Sequence, residues 1–215
     1  TADAIAPHPD EAGVILAGSR QAGIWRSTDS GGTWTQVDAA RSTSIDPFND
    51  GTIEDDPTPY VAPVAVIVFD PADTDTVYAG LDGAGVLRNS SGGAGAWELA
   101  ATGLPNEATV KDLTVGPGGV LYAALGAAGV YRSDDGADTW RPVNGALPPL
   151  AAGETLVTSI AVNPANADVA YLVLATFDYA NLWKTVDGGT SWAVKDTVTY
   201  DPDHDPTETW ATDAS

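Results

Sequence analysis

The sequence predicts an all-β fold, a β-propeller of four-stranded antiparallel blades with four blades present. Three observations predict it. A pattern of four short apolar segments recurs four times along the 215 residues, and repeats of that size and make-up are the sequence mark of propeller blades. The segments are about four to six residues long, rich in Val, Ile, Tyr and Trp, and bounded by Gly, Pro, Asn or Asp, as strands between tight turns are. No window holds a sustained helical period.

Taken in order, the first segment of each unit reads AIAPHP at 4–9, VIVFDP at 66–71, LTVGPG at 113–118 and IAVNPA at 160–165. The second reads VILAGS at 14–19, TVYAGL at 76–81, VLYAAL at 120–125 and VAYLVL at 169–174. Its small pairs, Ala17-Gly18, Ala79-Gly80 and Ala123-Ala124, suit close approach near the hub of a wheel; in the fourth unit Ala175-Thr176 is displaced by a longer loop, ATFDYANLW. The third segment with its turn reads GIWRSTDSGGTW at 23–34, GVLRNSSGGAGAW at 85–97, GVYRSDDGADTW at 129–140 and NLWKTVDGGTSW at 181–192. A short fourth segment follows each Trp: TQV, ELA, RPV and AVK. Equivalent residues stand 62 apart from Trp25 to Leu87, 44 from Leu87 to Tyr131 and 52 from Tyr131 to Trp183. The blades are therefore placed at 3–40, 64–103, 110–147 and 157–200, with an acidic insertion at 41–63 and an acidic tail at 196–215.

Composition excludes several functions. Thirty acidic residues against nine basic ones give a formal charge of −21, which repels a phosphate backbone and argues against a nucleic-acid partner. The acidity fits either plain solubility or a salt- or calcium-rich setting. There is no Cys, so no disulfide framework and no thiolate chemistry. No apolar run is long enough to insert in a membrane as a helix. The chain begins at Thr1 rather than Met, which fits removal of a leader and a secreted or cell-surface location.

The four third-segment turns resemble the Asp-box, the S-x-D-x-G-x-T-W hairpin of BNR repeats, over roughly residues 3–195. That family includes sialidases, xyloglucan-cleaving glycoside hydrolases, sortilin-type receptors and photosystem assembly factors. The first turn fits fully, with Ser27, Asp29, Gly31, Thr33 and Trp34. The fourth has Thr185 for Ser and Ser191 for Thr, and keeps Asp187, Gly189 and Trp192. The third has Ser133, Asp135, Thr139 and Trp140, with its glycine one place early at Gly136. The second is degenerate: Ser91 stands for the Asp, and one residue is inserted before Trp97. The resemblance implies a turn between third and fourth strands on the rim, away from the central channel.

The chemistry of these residues points to folding. An Asp carboxylate and a Ser hydroxyl accept backbone N–H bonds inside a tight turn. Glycine supplies the positive φ, and Trp buries a large ring whose N–H needs one acceptor. Arg26, Arg88, Arg132 and Lys184 hold one register in all four units. They read either as an anion-binding ring or as side chains that pair with nearby box carboxylates or lie along their strand edge, and repetition favours the second.

Candidate chemistry is sparse. The resemblance to sialidases would imply an arginine triad with Tyr and Glu, yet no Arg-Ile-Pro segment occurs. A glycoside hydrolase could use two carboxylates across a cleft; Asp70, Asp112 and Asp178, near inner strands or strand ends, are the ones to inspect. The stretch DPFNDGTIEDD at 46–56 half-resembles a calcium loop through Asp46, Asp50 and Glu54, but Phe48 and Pro57 stand where ligands belong. It reads as a weak calcium site or as a solvated acidic loop. His204 lies between Asp203 and Asp205 in a tail that mimics a box at Thr209 and Trp210. His8 sits in a strand-end turn and is given no role. The expectation is a non-catalytic extracellular recognition or scaffold module for a protein or glycan ligand, without a required cofactor. A xyloglucanase-like hydrolase, or a piece of one, is the alternative. Four blades also fall short of the six or more usual in such wheels, so further blades of the same chain or another subunit are expected to cover the ends.

Overall fold

A computed structural model describes residues 2–19, 23–37, 63–148, 150, 156–175 and 179–199. Among these residues, sixteen strands form four antiparallel sheets. The first sheet is β1 (Ala2–Pro7), β2 (Ile15–Ser19), β3 (Gly23–Ser27) and β4 (Thr35–Gln36). The second is β5 (Val64–Phe69), β6 (Val77–Leu81), β7 (Gly85–Asn89) and β8 (Glu98–Leu99). The third is β9 (Asp112–Val115), β10 (Leu121–Ala124), β11 (Val130–Ser133) and β12 (Arg141–Pro142). The fourth is β13 (Leu156–Asn163), β14 (Asn166–Ala175), β15 (Tyr179–Thr185) and β16 (Ala193–Thr199). Each sheet is a meander in chain order, which needs only short hairpins. A 3₁₀ turn, Pro117–Gly119, lies between β9 and β10.

All four units therefore have the expected strands, and the fourth differs in length. Its β14 runs ten residues and bonds β13 on one edge and β15 on the other, where the other second strands run four or five.

First strands are the inner ones. β1 and β2 pack on β5, β5 and β6 on β9, and β9 and β10 on β13. The small residues of the second strands follow from this. A Cβ at Gly18 would collide with Val64 of the next sheet, and one at Gly80 with Val110 just before β9. No packing of this kind joins the fourth sheet to the first among the described residues.

The core lies at the three seams between sheets. Leu16, Ile24, Val64 and Trp97 fill the first, Tyr78, Val110, Leu121 and Trp140 the second, and Tyr122, Val157, Leu172 and Trp192 the third. Burial of one such side chain contributes about 1.5–3 kcal/mol. A sheet with both faces apolar is stable only between neighbours, so the seams order the molecule more than any single sheet does.

Candidate functional site

The recurrent feature is the hairpin between third and fourth strands. In the first sheet, Ser27 Oγ accepts from the backbone N–H of Asp29 (3.3 Å) and Gly31 (2.9 Å) and donates to Asp29 Oδ1 (2.8 Å). Asp29 in turn accepts from the N–H (2.8 Å) and hydroxyl (2.7 Å) of Thr33. Ser133, Asp135 and Thr139 repeat this set in the third sheet. Thr185, Asp187 and Ser191 repeat it in the fourth. The bonds hold the carboxylates ionised: the Thr33 backbone N–H, the Thr33 hydroxyl and Ser27 lower Asp29 to about 2. Asp135 is lowered by Thr139 and Ser133, and Asp187 by Ser191 and Thr185.

The second hairpin corrects one reading. Ser91 does not stand in for the aspartate; Asn89, at the end of β7, does the work of both Ser and Asp. Its Oδ1 accepts from the N–H of Ser91 (2.9 Å) and Gly93 (2.8 Å), and its Nδ2 donates to the carbonyls of Ala94 (2.7 Å) and Ala96 (2.8 Å). The glycine of the third hairpin does stand one place early, and the turn accommodates it. Every hairpin carries two successive left-handed residues: Ser30-Gly31 (φ 60°, 90°), Gly92-Gly93 (59°, 80°), Gly136-Ala137 (69°, 73°) and Gly188-Gly189 (70°, 85°). Ala137 takes the second place, with its methyl buried in the core at the second seam.

The basic register reaches across the seams. Arg26 Nε donates to the Gly92 carbonyl (3.1 Å). Arg88 donates to the Gly136 carbonyl and to Asp138 Oδ1 (both 2.7 Å). Arg132 donates to Asp168 (2.9 Å), to the Tyr122 hydroxyl (2.8 Å) and to Asp134 of its own hairpin (2.7 Å). Lys184, in the fourth sheet, lies over the Tyr171 ring at 5.2 Å. The tryptophans cross the other way: Trp140 Nε1 donates to the Ala100 carbonyl (2.8 Å) and Trp192 Nε1 to that of Val143 (2.7 Å). Trp97 is buried at the first seam, and its N–H meets no acceptor among the described residues. So the arginines clamp the next sheet forward and also pair with nearby carboxylates of their own sheet, Arg88 with Glu98 (2.9 Å) and Arg132 with Asp134.

Of the carboxylates singled out for catalysis, Asp70 is buried and accepts from the Ala72 N–H (2.8 Å). Asp112 ties the third sheet to the fourth, accepting from the Ser159 hydroxyl (2.7 Å) and the Ile160 N–H (2.9 Å). Asp178 lies outside the described residues, as do Asp46, Asp50, Glu54 and His204 of the two acidic stretches. One group of three metal-ligating side chains comes together among the described residues, His8, Glu11 and Asp75 at the first seam. Sequence reasoning missed it, because Asp75 belongs to the second blade while His8 and Glu11 belong to the first. No helix among the described residues is long and apolar enough to cross a membrane.

This arrangement is shared by solved structures. A glycoside hydrolase family 74 xyloglucanase from Xanthomonas campestris superposes with a TM-score of 0.68 and 25% identity, over 88% of this chain and 29% of that one. These four sheets are propeller blades. The Niastella koreensis family 74 enzyme matches at TM-score 0.63 and 18% identity, over 90% of this chain and 29% of that one. A chain of the COPII outer coat vertex on membranes matches at 0.65 and 8%, over 94% and 50%, a likeness of fold alone. The four blades thus span under a third of the length of the two enzymes. No protein-family model matches the sequence, and no curated protein matches it.

Proposed function

We propose that these blades belong to an Asp-box propeller that serves outside the cell as a non-catalytic recognition or scaffold module for a protein or glycan. One observation carries the reading: among the described residues, the hairpin carboxylates and the two expected at a cleft are spent on structure. Asp29, Asp135 and Asp187 close the hairpins, Asp70 caps a turn and Asp112 ties two blades. A general acid or nucleophile needs a carboxyl facing substrate with its lone pairs available. Irregular segments on a regular scaffold carry specificity, which favours the 41–63 insertion and the link between β14 and β15 at 176–178 as the places of ligand contact. Further blades, from the same polypeptide or a second subunit, complete the wheel.

The second reading is a piece of a xyloglucan hydrolase. The 25% identity to the Xanthomonas enzyme over 88% of this chain favours it. A glycan array run with and without calcium, followed by incubation with xyloglucan oligosaccharides, separates the two. Retention of a glycan without release of new reducing ends is the expected result. Steady release of reducing ends by the purified chain overturns the non-catalytic reading. The mass of the native particle tests the wheel, and a 22.0 kDa monomer with its fourth blade on its first would overturn it.

A further inference from the structure

We propose that the open face of the fourth blade docks head to tail on the open face of the first blade of a second copy of this chain. This docking rests on the propeller reading above and names what covers its open ends. Each of the three seams joins a forward face of one blade to a backward face of the next. Leu16 and Ile24, Tyr78 and Val86, and Tyr122 and Val130 are the forward apolar side chains of the first three blades, and all six are buried. Tyr171 and Leu182 hold the same register places in the fourth blade. There Tyr171 is half-buried and Leu182 is 39% exposed.

The backward face shows the converse. Ile67, Leu113 and Ile160 of the inner strands lie in the seams and are 7%, 3% and 5% exposed. Ile5 holds their place in β1, since it pairs with Ala17 as Ile67 pairs with Ala79 and Leu113 with Ala123. It is 68% exposed. Among the described residues the chain thus carries one unused forward half and one unused backward half of a seam. A second copy supplies the matching half at each end, with the spacing that three seams of the same chain already use.

The polar groups of a seam are present in both halves as well. Arg26 and Arg88 donate to the carbonyls of Gly92 and Gly136, each the first left-handed residue of the next hairpin. Ser30 is that residue in the first hairpin. Its N–H bonds the Gly13 carbonyl (2.9 Å) as the Gly92 N–H bonds that of Asp75 (2.8 Å), so the receiving turn is already formed. On the forward side, Lys184 lies over the Tyr171 ring at 5.2 Å, as Arg132 lies over Tyr122 at 5.3 Å. The Tyr122 hydroxyl donates to the Ala167 carbonyl (2.7 Å) in the turn between β13 and β14, and Ala12 has that place in the turn between β1 and β2. In the docked pair Lys184 reaches the Ser30 carbonyl of the second copy, the Tyr171 hydroxyl reaches that of Ala12, and Leu182 and Ile5 leave water together. Two copies bring eight blades, at the upper end of the roughly 4–8 usual in closed propellers. A head-to-tail contact closes into a ring when its rotation allows.

Light scattering on the full chain as it elutes from a sizing column tests this. The parent should form a particle of two or more chains of 22.0 kDa. Leu182→Asp spoils the forward half and Ile5→Asp the backward half. Both places are exposed in the single chain, so each variant should keep the parent's circular dichroism while running as one chain. An equimolar mixture of the two should recover a two-chain particle, because the Ile5→Asp copy keeps its forward half and the Leu182→Asp copy its backward half. Recovery on mixing separates lost docking from lost folding. Leu99→Asp, at an exposed place in the second blade, should keep the parent's mass. A parent that runs as one chain at every concentration, a parent mass that survives both substitutions, or a mixture that stays at one chain overturns the proposal. A one-chain parent that still retains a glycan would remove the docking and leave the recognition reading standing.

Discussion

The first and third hairpins share their Ser, Asp, Thr and Trp and have different surroundings. Ser27, Asp29 and Thr33 make the bonds that Ser133, Asp135 and Thr139 make, within about 0.1 Å. Their tryptophans part company. Trp140 is buried, its indole N–H crosses to the Ala100 carbonyl, and its backbone N–H bonds Thr102 of the preceding blade. Trp34 is half-buried and its indole N–H turns back to Gly31 of its own hairpin (3.1 Å). The comparison separates two functions within one motif. The Ser–Asp–Thr set is self-contained and forms wherever the hairpin forms. The Trp is the coupler, and its bond is set by the blade behind it.

The largest expected effect follows from that division. Trp140→Ala should cost about 3–5 kcal/mol, as truncation of a buried aromatic does. Trp34→Ala should cost about 1 kcal/mol or less in the same chain. Urea unfolding of both variants measures this. Equal losses would mean that the coupling lies elsewhere.

The arginine clamps sharpen the same point from the other side of each seam. Arg132 holds Tyr122 and Asp168 and is nearly buried, although Asp168 is 58% exposed. Solvent screening of that partner keeps the cost of Arg132→Ala to about 1–2 kcal/mol. Arg26, with its bond to the Gly92 carbonyl, should cost about 0.5–1 kcal/mol on truncation. A double-mutant cycle of Arg132 with Asp168 should show positive coupling; additive losses would assign the arginine's contribution to packing alone.

These contrasts explain what the sequence showed and what it hid. Strand order was legible because each unit carries its own turn chemistry and apolar alternation. Gly18 and Gly80 were legible as places of close approach, but their partners, Val64 and Val110, sit on the next blade tens of residues away. Asn89 was missed because one amide supplies the acceptor of a serine and the tie of an aspartate, so no aspartate marks the turn. The arginines were read against their own hairpins because local partners are all a single repeat displays.

The smallest effect is the most local, and it sets the first hairpin against the second. Asp29 is held at about 2 by the N–H and hydroxyl of Thr33 and by Ser27, against roughly 3.9 for an unfolded aspartate. A folded value below the unfolded one means that the bonds stabilise fully above about pH 4, and that their contribution is lost as pH falls from about 4 toward 2. The second hairpin has Asn89 in that role, which does not titrate. Amide resonances therefore give an internal control. The Thr33 N–H should shift with an acid midpoint near 2, while the Gly93 N–H, bonded to Asn89 Oδ1, stays unmoved over the range in which the chain remains folded. Asp29→Asn should abolish the Thr33 titration and leave Gly93 as before. A Gly93 amide that moved with Thr33 would show that the acid response spreads through the blades and is not a property of one turn.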